Sequence, residues 1–197
     1  IFNIYGEVNA DKPVETVSLY IDDKYVTDTT LHSTGYFKFN LTPELISTGI
    51  HKYRVDVRVE GGSVIKSREQ TIDYSSVGPW VTIDNFDYGD FAIERPFIRG
   101  HGGYSLDEDE LLLSKTKKAS KEEKERIAQK TVDKVEISFD NGKTFEQISK
   151  KEKWMYQVEN FDLKEGYHFM LVRATMKNGE TAIERTIIQI DNTAPNI

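Results

Sequence analysis

The sequence predicts an all-β fold of two tandem β-sandwiches, the second of which carries a short helical insertion. Three observations favour this fold class. Short runs with apolar residues at every second position recur along the chain, one hairpin pattern occurs twice, and a helix-coding stretch interrupts only the second copy. Short strands at this spacing, without amphipathic helices between them, are typical of β-sandwiches.

The hairpin pattern that occurs twice defines the repeat. In its clearer copy, Gly166–Pro195, two strand-like runs flank Asn178-Gly179, and an Asn-Gly turn between such runs is a strong hairpin signal. The looser copy spans Gly49–Pro79 and turns at Gly61-Gly62. The duplication predicts two domains, residues 1–78 and 79–197.

The strands ahead of each hairpin also correspond, and they locate the insertion. Ile4-Tyr5-Gly6 matches Ile98-Arg99-Gly100 at an offset of 94 residues, whereas Val17–Asp23 matches Val135–Asn141 at an offset of 118. The difference places about 24 extra residues between the first two strands of the second copy.

Strand side chains alternate between faces, so the apolar residues of the second strand of the first copy are predicted to face the core together. These are Val17, Leu19 and Ile21.

The insertion, at about Ser105–Thr131, is helix-coded. Ser105 with Glu108, and Ser120 with Glu123, have the spacing of capping boxes. The insertion is acidic in its first half and basic in its second, and it has few apolar residues. A helix this polar is either solvent-exposed or lies against another protein. The interaction candidates are Asp107, Glu108, Glu110, Lys117, Lys118, Lys121 and Arg126.

Three patterns resemble known families. Val132–Phe145, with Ile98–Gly103 ahead of it, resembles the opening of early-set immunoglobulin-like domains, including the C-terminal domain of sulfite-oxidase-type enzymes. Gly166–Gly179 looks like the hairpin of bacterial immunoglobulin-like repeats, and Asp191–Pro195 is similar to the joints between such repeats on surface proteins. The resemblance implies tandem immunoglobulin-like domains of a bacterial surface, secreted or periplasmic protein.

A fourth pattern is the spacing of Ser138, Asp140, Gly142 and Thr144, which is similar to the Asp-box hairpin of sialidase propellers. One copy in a chain of 197 residues cannot form a propeller. We therefore predict a structural role, in which the Asp and Ser side chains bond backbone groups of the turn.

The sequence suggests no catalytic centre, because no nucleophile, base and orienting group can be named together. His51 and His168 occupy equivalent positions in the two copies, which predicts that each is a framework histidine bonded to a loop at the start of a strand. The net charge of −7 argues against a nucleic-acid partner. No apolar run approaches the length of a membrane span, and the absence of cysteine excludes disulfides and thiolate metal sites.

The acidic residues of the joint raise one metal hypothesis. Asp84, Asp87 and Asp90 are spaced three residues apart, and calcium takes carboxylate and carbonyl oxygens. The Asp191–Pro195 exit is also similar to the joints of cadherin-like domains, which implies calcium. Asp at turns needs no metal, however, and the main expectation is that no cofactor binds.

Aromatic residues raise a second binding hypothesis. Trp80, Trp154 and Tyr156, with Tyr88 and Phe91 nearby, would form a platform for a sugar if they were exposed. Trp154 and Tyr156 alternate on one strand, so the competing interpretation is that both pack in the core.

These observations favour a non-enzymatic segment of a larger bacterial surface or secreted protein. The segment would act as a spacer and as an adhesion or protein-interaction module, with other domains of the same chain as partners. The alternative is a carbohydrate- or peptide-binding accessory module of an extracellular enzyme. In a third hypothesis the insertion itself is the recognition element for a protein partner, and its deletion would cost little folding stability.

Overall fold

The computed structural model describes residues 2–86, 89–92, 95–158 and 163–191. The chain divides into two compact units, Ile1–Ser76 and Val77–Ile197, called unit 1 and unit 2 below. The described residues of each unit enclose a separate hydrophobic core between β-sheets. The predicted all-β fold with a short helical insertion in its second half is confirmed.

Unit 1 is built from β-strands. They are β1 (Phe2–Glu7), β2 (Val14–Ile21), β3 (Lys24–Thr29), β4 (Tyr36–Leu41), β5 (Gly49–Val59), β6 (Val64–Lys66) and β7 (Gln70–Tyr74). Within the described residues, β1 and β4 form one antiparallel sheet. In the other sheet β2 lies between β3 and β5, and β6 and β7 both pair with β5.

The core of unit 1 lies between these two sheets. Val17, Leu19 and Ile21 of β2 are at most 6% exposed, which confirms the inward face predicted from their alternation. They belong to one cluster with Phe37 and Phe39 of β4. Removal of these side chains from water is the main favourable contribution to folding of the unit.

Unit 2 contains strands and two helices. The strands are β8 (Gly78–Ile83), β9 (Asp90–Ala92), β10 (Phe97–Ser105), β11 (Val132–Ser138), β12 (Glu146–Ser149), β13 (Lys153–Gln157), β14 (Gly166–Met176) and β15 (Thr181–Ile190). The helices are α1 (Glu108–Lys115) and α2 (Lys121–Ala128), both between β10 and β11. Among the described residues no helix is long and apolar enough to cross a membrane.

The sheets of unit 2 have three and five strands within the described residues. In the first, β10 lies between β8 and β13. The second has the order β12-β11-β14-β15-β9, with β9 parallel to β15. The core between them includes Ile98, Trp154 and Val172, each at most 1% exposed.

Both predicted hairpins are present. In unit 2, β14 and β15 pair from Gly166↔Ile190 to Thr175↔Thr181, and Gly179 of the turn has a φ of +87°. Glycine adopts this backbone conformation without the steric cost that a Cβ would bring. In unit 1 the returning strand is divided into β6 and β7, and between them Ser67 Oγ accepts a hydrogen bond from Val55 N at 2.8 Å.

Candidate functional site

The helical insertion begins with a cap that differs from the predicted one. Ser105 is the last residue of β10, so its predicted capping box with Glu108 is wrong. Asp107 caps α1 instead, and its side chain accepts from Glu110 N at 2.8 Å. The second predicted box is confirmed, because Glu123 N donates to Ser120 Oγ at 3.1 Å and Ser120 N donates to Glu123 Oε2 at 2.7 Å.

Glu110 was predicted to lie on an interaction surface, and this prediction is wrong. Glu110 is only 5% exposed. Lys130 Nζ donates to both of its carboxylate oxygens at 2.6 Å, and Arg126 Nε lies 3.7 Å from Oε1. A buried carboxylate requires such compensation, because the loss of hydration is otherwise large. The three residues therefore join the two helices internally.

The same cluster attaches the helices to the body of unit 2. Lys130 Nζ lies 4.8 Å from the centre of the Tyr104 ring on β10. Burial, together with a hydrogen bond to Glu180, raises the pKa of Tyr104 to about 12. At the β14–β15 turn, Lys177 N donates to Thr131 O at 3.0 Å and Asn178 N donates to Gln129 O at 2.9 Å. The insertion is thus attached to the turn by backbone hydrogen bonds and to β10 by the contact of Lys130 with Tyr104.

The other predicted interaction residues are solvent-exposed. They are Asp107, Glu108, Lys117, Lys118, Lys121 and Arg126. Of these, Asp107 is occupied as a helix cap and Arg126 lies beside Glu110. The structure adds two apolar residues that sequence reasoning did not select, since Leu111 and Leu112 of α1 are 45% and 63% exposed.

The predicted aromatic platform does not assemble. Trp154 is 1% exposed and its ring lies over Gly100 in the core, so the prediction that it could stack on a sugar is wrong. Tyr156, on the same face of β13, packs against the core and donates to Glu146 Oε2 at 3.1 Å. Trp80 is half-buried beside Gly103.

The hypothesis also included Phe91 and Tyr88. Phe91 is 60% exposed, and Tyr88 lies outside the described residues. The core interpretation of Trp154 and Tyr156 is the one that their burial supports.

The framework role predicted for the paired histidines is confirmed. His51 Nε2 lies 2.9 Å from Ser47 O, and His168 Nε2 lies 2.6 Å from Lys164 O, so each ring bonds a carbonyl four residues earlier. In unit 1 the ring also bonds Asp22 through Nδ1 at 2.6 Å. Asp22 in turn accepts from Lys52 N at 2.9 Å, which fixes the β2–β3 turn to β5.

Asp22, His51 and Ser47 have the residue types of a hydrolase triad, but their geometry favours a structural role. Their hydrogen bonds form a clasp that holds the β2–β3 turn and the loop before β5 together. Ser47 Oγ is 3.4 Å from His51 Nε2, farther than the carbonyl oxygen of the same residue. Both ring nitrogens therefore face acceptors, and a ring that donates from both nitrogens is an imidazolium that cannot take a proton from a hydroxyl.

This clasp gives unit 1 a pH-dependent stability. The hydrogen bond to Asp22 raises the pKa of His51 above its ordinary 6.5, and the bond from His51 lowers the pKa of Asp22 below its ordinary 3.8. The His51 contribution is complete below pH 6.5 and is lost as the pH rises through the folded-state pKa. The Asp22 contribution is complete above pH 3.8 and is lost as the pH falls.

We therefore expect Asp22→Asn to reduce the free energy of unfolding most between about pH 4 and pH 6.5, where both contributions are complete. Urea denaturation at a series of pH values measures this difference. Asp11→Asn, at an exposed position of the same unit, is the control and should show no such window. A deficit for Asp22→Asn that stays constant from pH 4 to pH 9 would contradict the clasp.

Of the three acidic residues Asp84, Asp87 and Asp90, two lie within the described residues. Asp87 lies outside the described residues, and Asp90 is in β9. Asp84 Oδ2 bonds His101 Nδ1 at 2.6 Å, and its Oδ1 accepts from Thr82 Oγ1 at 2.7 Å. Among the described residues no three His, Asp or Glu side chains come together as metal ligands. Calcium binding here stays the alternative to the expectation that no cofactor binds, and calorimetric titration with Ca²⁺ would check it.

The turn after β11 has the structural role predicted for it. Asp140 Oδ1 accepts from Thr144 N at 2.9 Å and Oδ2 accepts from Thr144 Oγ1 at 2.7 Å. Ser138 Oγ donates to Asp140 at 2.7 Å and accepts from Gly142 N at 2.9 Å. The bonds from Thr144 and Ser138 lower the pKa of Asp140 to about 2. These hydrogen bonds close the turn, and both carboxylate oxygens of Asp140 accept hydrogen bonds within it.

Unit 1 also contains a groove that sequence reasoning did not anticipate. Its volume is about 320 Å³, and it opens between β1 and the β5–β6 edge of the opposite sheet. Its apolar lining is contributed by Ile4, Phe37, Val55, Val57 and Ile65.

No protein-family model matches the sequence, and no curated protein matches it. Solved structures do resemble it. The fibronectin(III)-like modules of Clostridium thermocellum CbhA are 16% identical, with a TM-score of 0.37 over 96% of this chain and 85% of theirs. A tetra-tandem repeat of the extending region of a large adhesion protein is 13% identical, with a TM-score of 0.33 over 98% of this chain and 46% of that one.

A third similar structure comes from a 1.5-MDa bacterial ice-binding adhesin, and its chain is 17% identical with a TM-score of 0.29 over 98% of this chain and 58% of that one. The chain thus spans about half the length of the two adhesin structures.

Proposed function

We propose that the chain is a non-enzymatic pair of immunoglobulin-like modules, of the early-set type, in a larger bacterial surface or secreted protein. It acts there as a spacer and protein-interaction segment. The observation that carries the proposal is the duplicated framework. Each unit has its own core and its own histidine bonded to the loop before a long strand. Units that hold themselves together can be joined in series without depending on their neighbours.

The chemistry of the described polar clusters supports this role. His51 bonds the β2–β3 turn and the loop before β5, Asp140 bonds groups of its own turn, and Glu110 is paired with Lys130 inside the insertion. Groups arranged in this way stabilise loops, whereas catalysis needs groups that are poised toward a substrate.

Force spectroscopy on the full chain tests the spacer role. Two self-contained units should unfold in two separate events. At about 3.5 Å per extended residue, the released lengths are expected to be about 25 nm for unit 1 and about 40 nm for unit 2.

Leu19→Ala provides the matched variant, since Leu19 is fully buried in unit 1. It should lower the force of the shorter event and leave the longer one unchanged. One combined event of about 65 nm, or a change in both events, would contradict independent modules.

A peptide-binding role is the second candidate, and the groove of unit 1 favours it. The groove is lined by apolar side chains together with polar ones such as Glu7, Lys66 and Gln70, and it lies beside β1, which is at the edge of its sheet within the described residues. A glycan-binding role has less support, because Trp154 is in the core.

A further inference from the structure

Helix α1 has one exposed face whose residues are spaced as helical neighbours. The first, fourth, fifth and eighth residues of the helix are Glu108, Leu111, Leu112 and Lys115. Residues three and four positions apart lie side by side on an α-helix, so these four side chains form a single strip, called the α1 strip below. All four are solvent-exposed, Leu111 to 45% and Leu112 to 63%. The buried Glu110 lies on the opposite side of the helix.

The internal contacts of the insertion do not use the charges of the α1 strip. Among the described residues, the ion pairs of the two helices are those of Glu110 and one between two residues of α2. Glu108 and Lys115 take part in none of these pairs, so each keeps an uncompensated charge at its end of the strip. A single exposed leucine is common on protein surfaces, but Leu111 and Leu112 form a joint apolar patch between opposite charges.

The opposite charges at the two ends make the α1 strip complementary to itself. Glu108 and Lys115 are about 10 Å apart along the helix, at a rise of about 1.5 Å per residue. When a second α1 lies antiparallel across a twofold axis between Leu111 and Leu112, Glu108 of each copy faces Lys115 of the other. The leucines of both copies then meet at the axis. A parallel pairing would instead place like charges opposite each other, which is unfavourable.

We propose that the α1 strip binds a second copy of the chain, through an isologous antiparallel pairing of the two α1 helices. The inference names a partner for the protein-interaction role proposed above and rests on that role. The strip is small beside the roughly 1,200–2,000 Å² that stable interfaces bury, so we expect a dissociation constant on the order of 0.1–1 mM. Such a weak contact becomes effective where many copies are held close together.

NMR spectroscopy of the full chain tests this pairing. The amide signals of ¹⁵N-labelled protein are followed from about 0.05 mM to about 1 mM, a range that includes the expected dissociation constant. We expect signals of α1 and of the residues beside it to shift as the concentration rises. Sedimentation equilibrium should give a dimer as the associated species. Added salt should weaken the association, because the charges at both ends of the strip are solvent-exposed.

Charge reversal identifies the residues that pair. Glu108→Lys and Lys115→Glu each place like charges opposite one another at both ends of the strip, so each variant alone should raise the dissociation constant at least about tenfold. The two variants are complementary to each other, and an equal mixture should associate about as tightly as the unmodified chain.

Two further variants separate the apolar contribution from a general effect of charge. Leu112→Gln keeps a good helix former at this position and should weaken the association as strongly as charge reversal does. Asp109→Lys is the matched control, because it makes the same charge change in the first turn of α1 at an exposed residue outside the strip. It should leave the dissociation constant within about twofold of that of the unmodified chain.

Three results would overturn the proposal. The first is a chain that stays monomeric up to about 1 mM, which would leave the α1 strip to a different protein. The second is concentration-dependent shifts confined to residues outside α1. The third is a mixture of the two charge-reversed variants that associates no better than either variant alone. Force spectroscopy is carried out on single chains, so each of these results would leave the spacer role standing.

Discussion

Replacing Trp154 with alanine is expected to lower the free energy of unfolding of unit 2 by about 3–5 kcal/mol. Trp154 is one of the largest fully buried side chains and is 1% exposed. Its ring fills the space above Gly100, which has no side chain of its own, so truncation leaves a cavity that its neighbours cannot fill. Chemical denaturation of the full chain, followed by far-UV circular dichroism, measures the loss.

Met155→Ala is the matched control on the same strand. Met155 is 57% exposed and lies on the opposite face of β13, so the change should stay within about 0.5 kcal/mol. Equal losses for Trp154→Ala and Met155→Ala would show that the face of β13 has been assigned incorrectly.

Lys130→Ala is expected to destabilise unit 2 by about 3 kcal/mol, because it removes the closest cation from a buried carboxylate. Lys130 Nζ lies 2.6 Å from Glu110 Oε1, whereas Arg126 Nε lies at 3.7 Å and is 60% exposed. Hydrogen exchange should show that the amides of both helices lose protection before the sheets do.

Two further variants give this prediction its control and its rescue. Lys118→Ala, at an exposed position of the insertion, should change stability by less than about 0.5 kcal/mol. The double substitution Glu110→Leu with Lys130→Met removes both charges and should recover most of the loss. An unchanged stability for Lys130→Ala would instead favour a loosely held insertion, as in the hypothesis of a separable recognition element.

The strands could be predicted because their signals are local. Alternating apolar residues in β2 and glycine-containing turns at both hairpins act over a few residues, and the duplication reinforced each assignment. The framework role of His51 followed from its repetition as His168, and the hydrogen bonds of both rings confirm it.

The features that were missed depend on residues far apart in the chain. Glu110 and Lys130 are twenty positions apart, so no helix periodicity connects them, and the polar sequence predicted exposure where an internal ion pair is present. The capping box at Ser105 was wrong because the pairing of β10 with β8 extends to Ser105↔Gly78, which leaves the cap to Asp107.

A second missed contact crosses the sheet between β11 and β14. Glu136 is 7% exposed and lies 2.9 Å from both Lys134 and Arg173. Burial raises the pKa of Glu136, but the hydrogen bonds from Arg173 and Lys134 outweigh it and hold the pKa below its ordinary value. The strand register Glu136↔Arg173 would have revealed the pair, and that register depends on the tertiary fold.

Calorimetric unfolding of the full chain tests most directly whether the two units are self-sufficient. Leu19→Ala and Trp154→Ala each remove a buried side chain from one core, and each should lower one thermal transition by about 10 °C or more. The account predicts that Leu19→Ala shifts only the transition of unit 1 and Trp154→Ala only that of unit 2. A single transition that both substitutions lower by similar amounts would contradict it.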